Sequence, residues 1–366
     1  MAKTNIERTS ILKAAALVRA ALATQDYIPA LQHIRFNGKT ALAYNDIAAI
    51  EVKCDADVEA CLPGDSLIKI LNSFSADTIA FQMGKENEVL LSSGRSKMKI
   101  PMLELKEHPY ETPELEDRDA VDLDASILRG IELCLLAVGN DPTHPAQMGV
   151  TLDVDEDGKA VLWATDNFTI SRYQTKSDMA LPNAEPIILP IFFCQQLLSL
   201  AKAFPDDEIT LYPMVEGGAV YATFGKSANV LTKTLIDLEP LDFHRIFSKH
   251  CGKLATLLKD MEEIPAAWDA AFQRALLVLN DLDKVTRVRL DDKEIQLYTT
   301  GDRGDSDDAM PFEGTARNAP DGDFFLDPSL VKRVSDKATQ LTFTERALVL
   351  STDDGSYIHL IAYSSK

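Results

Sequence analysis

Apolar residues recur at helical spacing near the start of the chain and again in two later segments. In residues 8–25 they share one face of a helix, at Ile11, Leu12, Ala15, Val18 and Leu22. The same spacing recurs in residues 125–140 and 266–281. Side chains three and four positions apart lie on one side of a helix, so each segment predicts an amphipathic helix.

Each predicted helix is followed by segments in which apolar and polar residues alternate, the pattern of half-buried strands. A second helix then follows a proline in each part of the chain, at Pro63, Pro190 and Pro328. Two more strand-like segments come after each second helix. The order helix, strands, helix, strands therefore occurs three times and predicts an internal triplication.

The segments between these units are acidic or rich in proline, as in residues 106–119 and 238–253. They predict three domains, at residues 1–118, 119–245 and 246–366. The fold class is therefore α+β with tandem repeats. A generic α+β chain whose periodicity is coincidental is the alternative.

Composition narrows the function classes. The 366 residues hold 37 Lys and Arg against 57 Asp and Glu, a formal charge of −20. Such a chain repels nucleic acid at long range, although a local basic surface remains compatible with DNA contact. The N-terminal residues lack the apolar core of a signal peptide, which predicts a cytoplasmic protein without a membrane segment. Five cysteines without a CxxC pair predict no disulfide framework and no zinc site.

Four segments carry a resemblance to one known family. They are SSGRSKMKIPMLELKEHPY (92–110), WATDNFTISRYQ (163–174), IILPIFFCQQLLSLA (187–201) and LIDLEPLDFHRIF (235–247). Each resembles a segment of the bacterial sliding clamp, the beta subunit of DNA polymerase III, and they follow one another in that family's order. With the triplication, the resemblance covers essentially the whole chain. It identifies the chain as a divergent member, either bacterial or phage-encoded.

The resemblance implies a fold and a function. The fold is three tandem DNA-clamp domains that assemble as a ring-shaped head-to-tail homodimer. The function is that of a processivity factor, which encircles duplex DNA independently of sequence and tethers the polymerase catalytic subunit. A clamp loader and other proteins with clamp-binding motifs are the further partners. The protein is then not an enzyme and needs no cofactor or metal.

The family binds partner peptides in a pocket between its second and third domains. Matching by motif places that pocket at Met148, Thr165, Asn167, Phe168, Thr169, Ile170, Pro240, Arg245, Ile246, Ala362, Tyr363 and Ser364. Met148, Ile170 and Ile246 are expected to form an apolar floor. Thr165 and Arg245 are expected to hydrogen-bond the peptide. Met148 and Ile170 as ordinary core residues are the alternative.

Two departures from the family's pattern affect this pocket. Phe168 stands where the family has a polar residue, and Tyr363 stands where it has proline. They predict a narrower or differently shaped pocket, selective for this protein's own partners.

Sliding on DNA requires phosphate contacts without base contacts. Basic residues on the first and second helices of each repeat are expected to face the DNA: Arg8, Lys13, Arg19, Lys69, Arg129, Lys202, Arg274, Lys332, Arg333 and Lys337. For each one, an ordinary exposed helix charge is the alternative.

The ring requires a seam between two subunits. The alternating segment 95–100 predicts an edge strand whose backbone groups need a partner. With the acid-rich segment 302–308, it predicts that domain one of each subunit meets domain three of the other. The predicted seam residues are Ile70, Phe74, Lys97, Met98, Lys99, Ile100, Leu277, Val278, Asp302 and Asp305. Ile70 and Phe74 are expected to pack against Leu277 and Val278.

Two other functions remain open at this point. One is a scaffold with the clamp fold that binds proteins but loads poorly on DNA, suggested by the sparse basic residues. The other is an acidic hydrolase that uses Asp302, Asp305, Asp307 and Asp308. Against the hydrolase, residues 302–308 are more simply a solvated or ion-paired loop. The six histidines also lack HExxH spacing, and no GxSxG or GxGxxG motif occurs.

Overall fold

The computed structural model describes residues 3–25, 28–84, 87–182, 185–215, 218–234, 238–280, 284–291, 293–312 and 319–364. The helices are α1 (Arg8–Val18), α2 (Gly64–Ser73), α3 (Ala125–Cys134), α4 (Ile191–Ala203), α5 (Phe243–Cys251), α6 (Leu254–Leu257), α7 (Trp268–Val278) and α8 (Pro328–Val334). In the described part of the chain no helix is long and apolar enough to cross a membrane.

One compact unit consists of residues 1–124 and 195–236 and holds two antiparallel sheets. Sheet 1 has the order β1 (Lys3–Glu7), β6 (Thr78–Met83), β7 (Glu88–Ser93), β8 (Ser96–Pro101). Sheet 2 has the order β5 (Glu59–Pro63), β2 (His33–Asn37), β3 (Thr40–Tyr44), β4 (Ala48–Lys53), β16 (Ala228–Lys233), β15 (Ala219–Phe224), β14 (Ile209–Val215), β9 (Val121–Leu123).

The other compact unit consists of residues 125–194 and 237–366. Sheet 3 has the order β13 (Ile187–Pro190), β10 (Gly149–Val154), β11 (Lys159–Thr165), β12 (Thr169–Asp178), β24 (Tyr357–Ala362), β23 (Ala347–Ser351), β22 (Gln340–Phe343), β17 (Glu262–Glu263). Sheet 4 has the order β20 (Gly304–Pro311), β19 (Glu294–Gly301), β18 (Thr286–Asp291), β21 (Phe324–Leu326).

The strand order is that of a triplicated unit. Each repeat makes two four-stranded half-sheets. One consists of the four strands between its two helices, and the other of the strand before its first helix with the three strands after its second helix. Sheet 2 joins half-sheets of the first and second repeats through β4 and β16, and sheet 3 joins the second and third through β12 and β24. We call these two junctions the internal seams. Sheets 1 and 4 are single half-sheets, so β8 and β20, the counterparts of the seam strands, are edges.

Each eight-stranded sheet carries an apolar cluster beside its internal seam. In sheet 2 it contains Leu42, Ala49, Ala219, Tyr221 and Leu231, covered by Tyr110 and Leu115 of the segment after the first repeat. In sheet 3 the counterparts are Trp163, Ile170, Ala347, Val349 and Leu360, covered by α5. These clusters make each internal seam continuous, which is why the two compact units divide the predicted second repeat.

Three segments differ from the sequence-based expectation. Residues 238–253, expected to be a link, contain α5, which begins at a capped residue and buries two phenylalanines. The predicted boundary between residues 245 and 246 falls inside this helix. Residues 302–308, expected to be a loop, form a hairpin turn and strand β20. The sequence pattern predicts no element over residues 3–7, yet β1 pairs with β6 there.

Candidate functional site

The turn between β11 and β12 presents an aromatic side chain to solvent. The carboxylate Oδ1 of Asp166 accepts hydrogen bonds from the amides of Phe168 at 3.1 Å and Thr169 at 2.7 Å. Asn167 takes the left-handed conformation, with φ of 72°. The Phe168 side chain is 65% exposed. We call residues 166–169, with Ala362 beside them, the Phe168 corner.

The end of β24 holds this corner and is itself firmly anchored. The amide of Ala362 donates to the carbonyl oxygen of Phe168 at 2.8 Å. The Tyr363 hydroxyl lies 2.9 Å from the carbonyl oxygens of both Thr344 and Ala347. Burial raises the pKa of this phenol. The hydroxyl of Tyr363 therefore hydrogen-bonds within the fold and does not face a partner.

Helix α5 is fixed on the apolar cluster of sheet 3. The Asp242 carboxylate caps it by accepting from the Arg245 amide at 3.0 Å. Phe243 stacks on Trp163 with ring centroids 5.6 Å apart and planes 11° apart. Phe247 meets the same indole edge-on. This amphipathic docking explains why a segment without β-strand alternation folds here as a helix.

The other side chains of α5, and those of the two residues before its cap, contribute unequally to the predicted pocket. Ile246 is half-buried and packs against the cluster, as does Leu241, which the sequence-based prediction missed. Arg245 is exposed, and Pro240 is half-buried without belonging to the cluster. An apolar ledge formed by Leu241 and Ile246 is therefore present.

Two side chains that were predicted to contact a peptide in this pocket are buried. Thr165 is buried, and its hydroxyl donates to the carbonyl oxygen of Thr169 at 2.7 Å, so it has no free hydrogen for a peptide. Ile170 is buried in the cluster rather than forming an open floor. Met148 is half-buried, and the residue that reaches the corner is its neighbour Gln147, whose Nε2 donates to Asn167 Oδ1 at 2.7 Å. No sequence pattern distinguished Gln147.

A cavity of about 360 Å³ lies between the last turn of α5, α6 and the turn between β22 and β23. Lys249, His250 and Arg346 are among its lining residues. The backbone carbonyl of Arg346 accepts from the Tyr363 amide at 3.1 Å, which places the cavity beside the chain end. Burial, followed by the charges of Arg346 and Lys249, lowers the pKa of His250. His250 Nδ1 is buried and has no hydrogen-bond partner among the described residues.

Most basic residues that were predicted to face DNA are paired with carboxylates. Ion pairs join Arg19 to Asp65, Arg129 to Glu132, Arg274 to Asp308, Lys332 to Asp269, Arg333 to Asp166 and Lys337 to Asp336. All six cations thereby share their charge with the acidic surface. Lys337, predicted to lie on a helix, is in the turn that follows α8. Exposed pairs of this kind are weak, so DNA phosphates compete with the carboxylates for them.

The other four predicted DNA-facing residues differ among themselves. The Arg8 guanidinium donates to the carbonyl oxygens of Ala76 at 3.2 Å and Leu71 at 3.4 Å, so it is committed to the fold. Lys13 Nζ lies 5.8 Å from the ring centroid of Phe204. Lys69 and Lys202 are exposed, and no carboxylate of the described chain lies within 4.0 Å of either.

The predicted seam strands carry opposite charges. On β8 the side chains of Lys97 and Lys99 are exposed, and that of Ile100 is buried. On β20 the side chains of Asp305 and Asp307 are exposed. Asp308 has a lowered pKa because the Arg274 guanidinium bonds to it.

Only some of the apolar side chains that were predicted at the seam are exposed in the single chain. Ile70 and Phe74 are 8% and 7% exposed, so they belong to the core of their own unit. Leu277 is 61% exposed and Met98 is 41% exposed. Val278 is half-buried. Met98 and Leu277 are therefore the apolar side chains available at these edges.

The strongest catalytic constellation in the described chain is a buried pair. Ser171 Oγ lies 2.8 Å from His359 Nδ1, and both residues are fully buried. Burial, with a smaller effect from Arg333, lowers the pKa of His359 to about 3. A substrate cannot reach this hydroxyl. Among the described residues no group of three His, Cys, Asp or Glu is arranged to hold a metal ion.

No family model and no curated protein matches the sequence. Solved structures do match it. The DNA polymerase III beta subunit of Thermotoga maritima is 14% identical with a TM-score of 0.80, covering 100% of this chain and 99% of that one. The sliding clamp of Pseudomonas aeruginosa bound to griselimycin is 16% identical with a TM-score of 0.82, with coverage of 100% and 99%.

The sliding clamp of Bartonella birtlesii bound to griselimycin is 13% identical with a TM-score of 0.84, and each chain is covered completely. The predicted α+β fold of three tandem clamp repeats is thereby confirmed. The chain has the fold of the bacterial sliding clamp, the DNA polymerase III beta subunit.

Proposed function

We propose that this protein is a DNA sliding clamp, a cytoplasmic and non-catalytic processivity factor. Two copies close head to tail into a ring around duplex DNA. The ring tethers a polymerase catalytic subunit and other clamp-binding proteins, and a clamp loader places it on DNA. The match to sliding-clamp structures over the whole chain supports this function.

The observation that carries the proposal is the pair of open edges. In both internal seams, the third strand after the first helix of one repeat pairs with the third strand after the second helix of the next repeat. These pairs are β4 with β16 and β12 with β24. Among the strands of the described residues, β20 and β8 remain without such a partner. Because unpaired strand edges are templates for pairing, β20 of one copy joining β8 of another completes the same eight-stranded sheet. Two such junctions close a ring of six repeats.

The internal seams also give the register of this junction. In each one, the second-last residue of the incoming strand lies opposite the first residue of its partner: Thr232 opposite Ala48, and Ile361 opposite Thr169. Applied to β8 and β20, the rule places Ile100 opposite Gly304.

The two strands then pair opposite charges. Lys99 faces Asp305 and Lys97 faces Asp307, which are all exposed in the single chain. Directly opposed charges stabilise an antiparallel pair by about 0.2–1 kcal/mol each. The acidic segment thus serves assembly rather than hydrolysis.

DNA contact in this proposal is electrostatic and independent of sequence. Phosphate contacts from lysine and arginine position a protein on DNA without reading bases. Lys69 and Lys202 are exposed without a carboxylate nearby in the described chain, so they are the strongest single candidates. Net charge −20 keeps the rest of the surface away from DNA.

Partner tethering is assigned to the Phe168 corner and the neighbouring cavity. The exposed Phe168 ring and the ledge formed by Leu241 and Ile246 offer apolar contacts for a peptide anchor. The cavity is lined by Lys249, Lys253 and Arg346 and also by Asp260 and Glu345. Its excess of one positive charge favours an acidic residue in the same peptide. This chemistry fits a short partner segment that carries apolar and acidic side chains.

Sedimentation equilibrium tests the ring directly. We expect a mass of about 80 kDa, since the chain has a mass of 40.3 kDa. The double variant Lys97→Asp with Lys99→Asp should sediment as a monomer. The matched control, Lys39→Asp with Lys106→Asp, makes the same change of charge at exposed positions outside β8 and should remain a dimer. A wild-type monomer at micromolar concentration would contradict the ring.

A further inference from the structure

One arginine joins three elements beside the Phe168 corner. Arg333 lies on α8, and its Nη1 donates to the carbonyl oxygen of Leu136 at 2.9 Å. The same nitrogen lies 3.4 Å from Oδ2 of Asp166, the first residue of the corner. Leu136 belongs to the short helical turn Leu135–Ala137 that follows α3. A single guanidinium therefore ties α8 and the end of α3 to the turn that presents Phe168.

The two carboxylate oxygens of Asp166 have different partners. Oδ1 accepts from the amides of Phe168 and Thr169 and also from the Thr169 hydroxyl at 2.8 Å. Oδ2 faces Arg333. The Asp166 side chain is only 16% exposed, so water competes little for either oxygen. Because both oxygens belong to one planar group, a shift of Arg333 also shifts the group that shapes the corner.

The corresponding turn of the first repeat lacks this link to a helix. Asn45 Oδ1 accepts from the amides two and three positions further along, as Oδ1 of Asp166 does. Asn45 is a neutral amide and cannot form an ion pair. The ion pair of that turn joins the next residue, Asp46, to Lys233 on strand β16. A carboxylate is therefore not needed to build the turn, and the second oxygen of Asp166 serves the contact with Arg333.

The other edge of the Arg333 guanidinium is unused. Its hydrogen bonds to the described residues all come from Nη1, so Nε and Nη2 have no partner among them. The Arg333 side chain is 39% exposed. Nε and Nη2 form the planar edge that binds a phosphate through two parallel hydrogen bonds. Arg333 can therefore bind a phosphate and keep its contacts with Asp166 and Leu136.

Arg274 on α7 shows the opposite arrangement. Its Nε and Nη2 both bond to the Asp308 carboxylate, so its planar edge is occupied. A phosphate has to displace Asp308 to reach that edge. Of these two helix arginines, only Arg333 has a geometry that bridges the protein and a phosphate.

We propose that Arg333 binds a backbone phosphate of the encircled DNA through Nε and Nη2 and thereby makes partner docking at the Phe168 corner sensitive to DNA. The bound phosphate fixes the guanidinium, so less side-chain entropy is lost when Arg333 holds Asp166. DNA then stabilises the corner, and DNA and a docked partner strengthen each other's binding by the same factor. Fixing one long side chain changes an equilibrium by about two- to tenfold. This inference rests on the proposed function, because it needs DNA inside the ring.

Amide hydrogen exchange reports on the corner without a partner protein. The probe is a short, blunt-ended, fluorescein-labelled DNA duplex, added to the full chain until fluorescence anisotropy shows saturation. Mass spectrometry then follows a peptic peptide that covers residues 164–170. DNA should slow exchange in this peptide about two- to tenfold. Exchange at residues 45–48, where the cap is neutral, should not change.

Inorganic phosphate distinguishes DNA from a free anion. It replaces the duplex at equal ionic strength and offers the same phosphate oxygens. It should leave exchange in residues 164–170 unchanged, because no duplex holds it against Arg333.

Three variants separate DNA binding from coupling. Arg333→Gln should abolish the effect of DNA on residues 164–170 and lower the slope of log affinity against log salt by about 0.9. Asp166→Asn retains a capping oxygen and the phosphate contact, so DNA affinity should hold while the effect on the corner falls below twofold. Lys332→Gln is the matched control on α8. Lys332 pairs with Asp269 and not with the corner, so the effect of DNA should persist at saturating duplex.

The other outcomes overturn the proposal. Faster exchange at the corner with DNA would mean that the phosphate draws Arg333 away from Asp166. Unchanged exchange despite DNA binding, or a full effect in Arg333→Gln, would remove Arg333 as the link and leave the proposed clamp function intact. An equal effect of inorganic phosphate would make the edge a general anion site. A duplex that does not bind the wild type at all would contradict the clamp function as well.

Discussion

His359 Nδ1 lies 2.8 Å from Ser171 Oγ, and the two residues face each other directly across the internal seam of β12 and β24. Both are fully buried, and the hydroxyl of Tyr357 is 3.1 Å from the same ring nitrogen. The junction between the second and third repeats therefore contains a polar cluster sealed in an apolar sheet. Its imidazole is held neutral, since burial lowers the pKa of His359 to about 3.

This neutral histidine makes stability depend on pH. The ordinary pKa of histidine is near 6.5, so the unfolded chain binds a proton at His359 between pH 6.5 and 3 that the folded chain does not. The free energy of unfolding therefore decreases as pH falls through this window. From pH 7 to pH 5, His359 should account for a loss of about 2 kcal/mol.

Urea unfolding at the two pH values measures this loss. In His359→Gln the contribution disappears, while carboxylates and the other histidines titrate as before. The wild type should lose more stability than the variant by the stated amount. Parallel pH profiles would show that His359 is solvated or protonated in the folded protein.

The proposed register across the ring makes a charge-reversal prediction. Lys99→Asp places two acids opposite each other at the seam and should weaken the dimer about tenfold, since each ring has two seams. Asp305→Lys should do the same with two lysines. The double variant restores opposite charges and should recover most of the wild-type dissociation constant, measured by analytical ultracentrifugation. If the two effects simply add, these residues are not opposed.

The pairing of helix cations predicts which of them contribute most to DNA binding. Lys69→Ala with Lys202→Ala should reduce the slope of log affinity against log salt by about 0.9 for every phosphate that is no longer neutralised. Arg129→Ala with Arg274→Ala removes the same charge, but both arginines are already paired with carboxylates. This second variant should change the slope less. A larger decrease of the slope in the arginine double variant would mean that Arg129 and Arg274 contribute more to DNA binding than Lys69 and Lys202.

The Phe168 corner predicts a separation of binding from stability. Phe168→Ala removes an exposed ring, so the free energy of unfolding should change by less than about 0.5 kcal/mol. Binding of the polymerase's clamp-binding segment should weaken by about 2 kcal/mol, the usual effect of removing an anchor. Isothermal titration calorimetry measures the affinity, and urea unfolding measures the stability.

Tyr363 behaves in the opposite way. Tyr363→Phe removes the hydroxyl that bonds two carbonyl oxygens and should cost about 1 kcal/mol of stability. Partner affinity should stay unchanged, because that hydroxyl lies inside the fold. A loss of affinity without a loss of stability would show that the Tyr363 hydroxyl contacts the partner.

Much of this fold could be predicted from local patterns. Alternating residues and the prolines at Pro63, Pro190 and Pro328 located the strands and second helices, because periodicity reflects which side of an element is buried. Helix α5 was missed because its apolar residues Phe243 and Phe247 make sense only against Trp163, which is eighty residues away in the chain. Strand β20 was missed because no apolar alternation marks it: Asp305 and Asp307 are exposed, and the partly buried Asp308 pairs with Arg274.

The candidate site was less predictable for the same reason. Motif matching selected Phe168 and Ile246 for the proposed pocket, yet it could not show that Thr165 and Tyr363 direct their hydroxyls inward. Ion pairs such as that of Arg19 and Asp65 join residues far apart in sequence, so the basic residues were expected to be unpaired. Burial and pairing are properties of the folded chain and are not encoded in local spacing.

A covalently closed ring on circular DNA is the sharpest test of whether this chain encircles DNA. Lys99→Cys and Asp305→Cys are placed opposite each other by the proposed register, within reach of a disulfide. The native thiols are poor competitors, since burial raises the pKa of Cys54 to about 11 and that of Cys251 to about 12.

The double-cysteine variant is diluted to dissociate the dimer, reassembled with nicked circular plasmid and then oxidised. We expect a protein–DNA complex that survives sodium dodecyl sulfate on the circle and is released when the plasmid is linearised, because the link is topological. Equal retention on linear DNA, or no resistant complex despite complete cross-linking of the dimer, would contradict the claim that this chain encircles DNA.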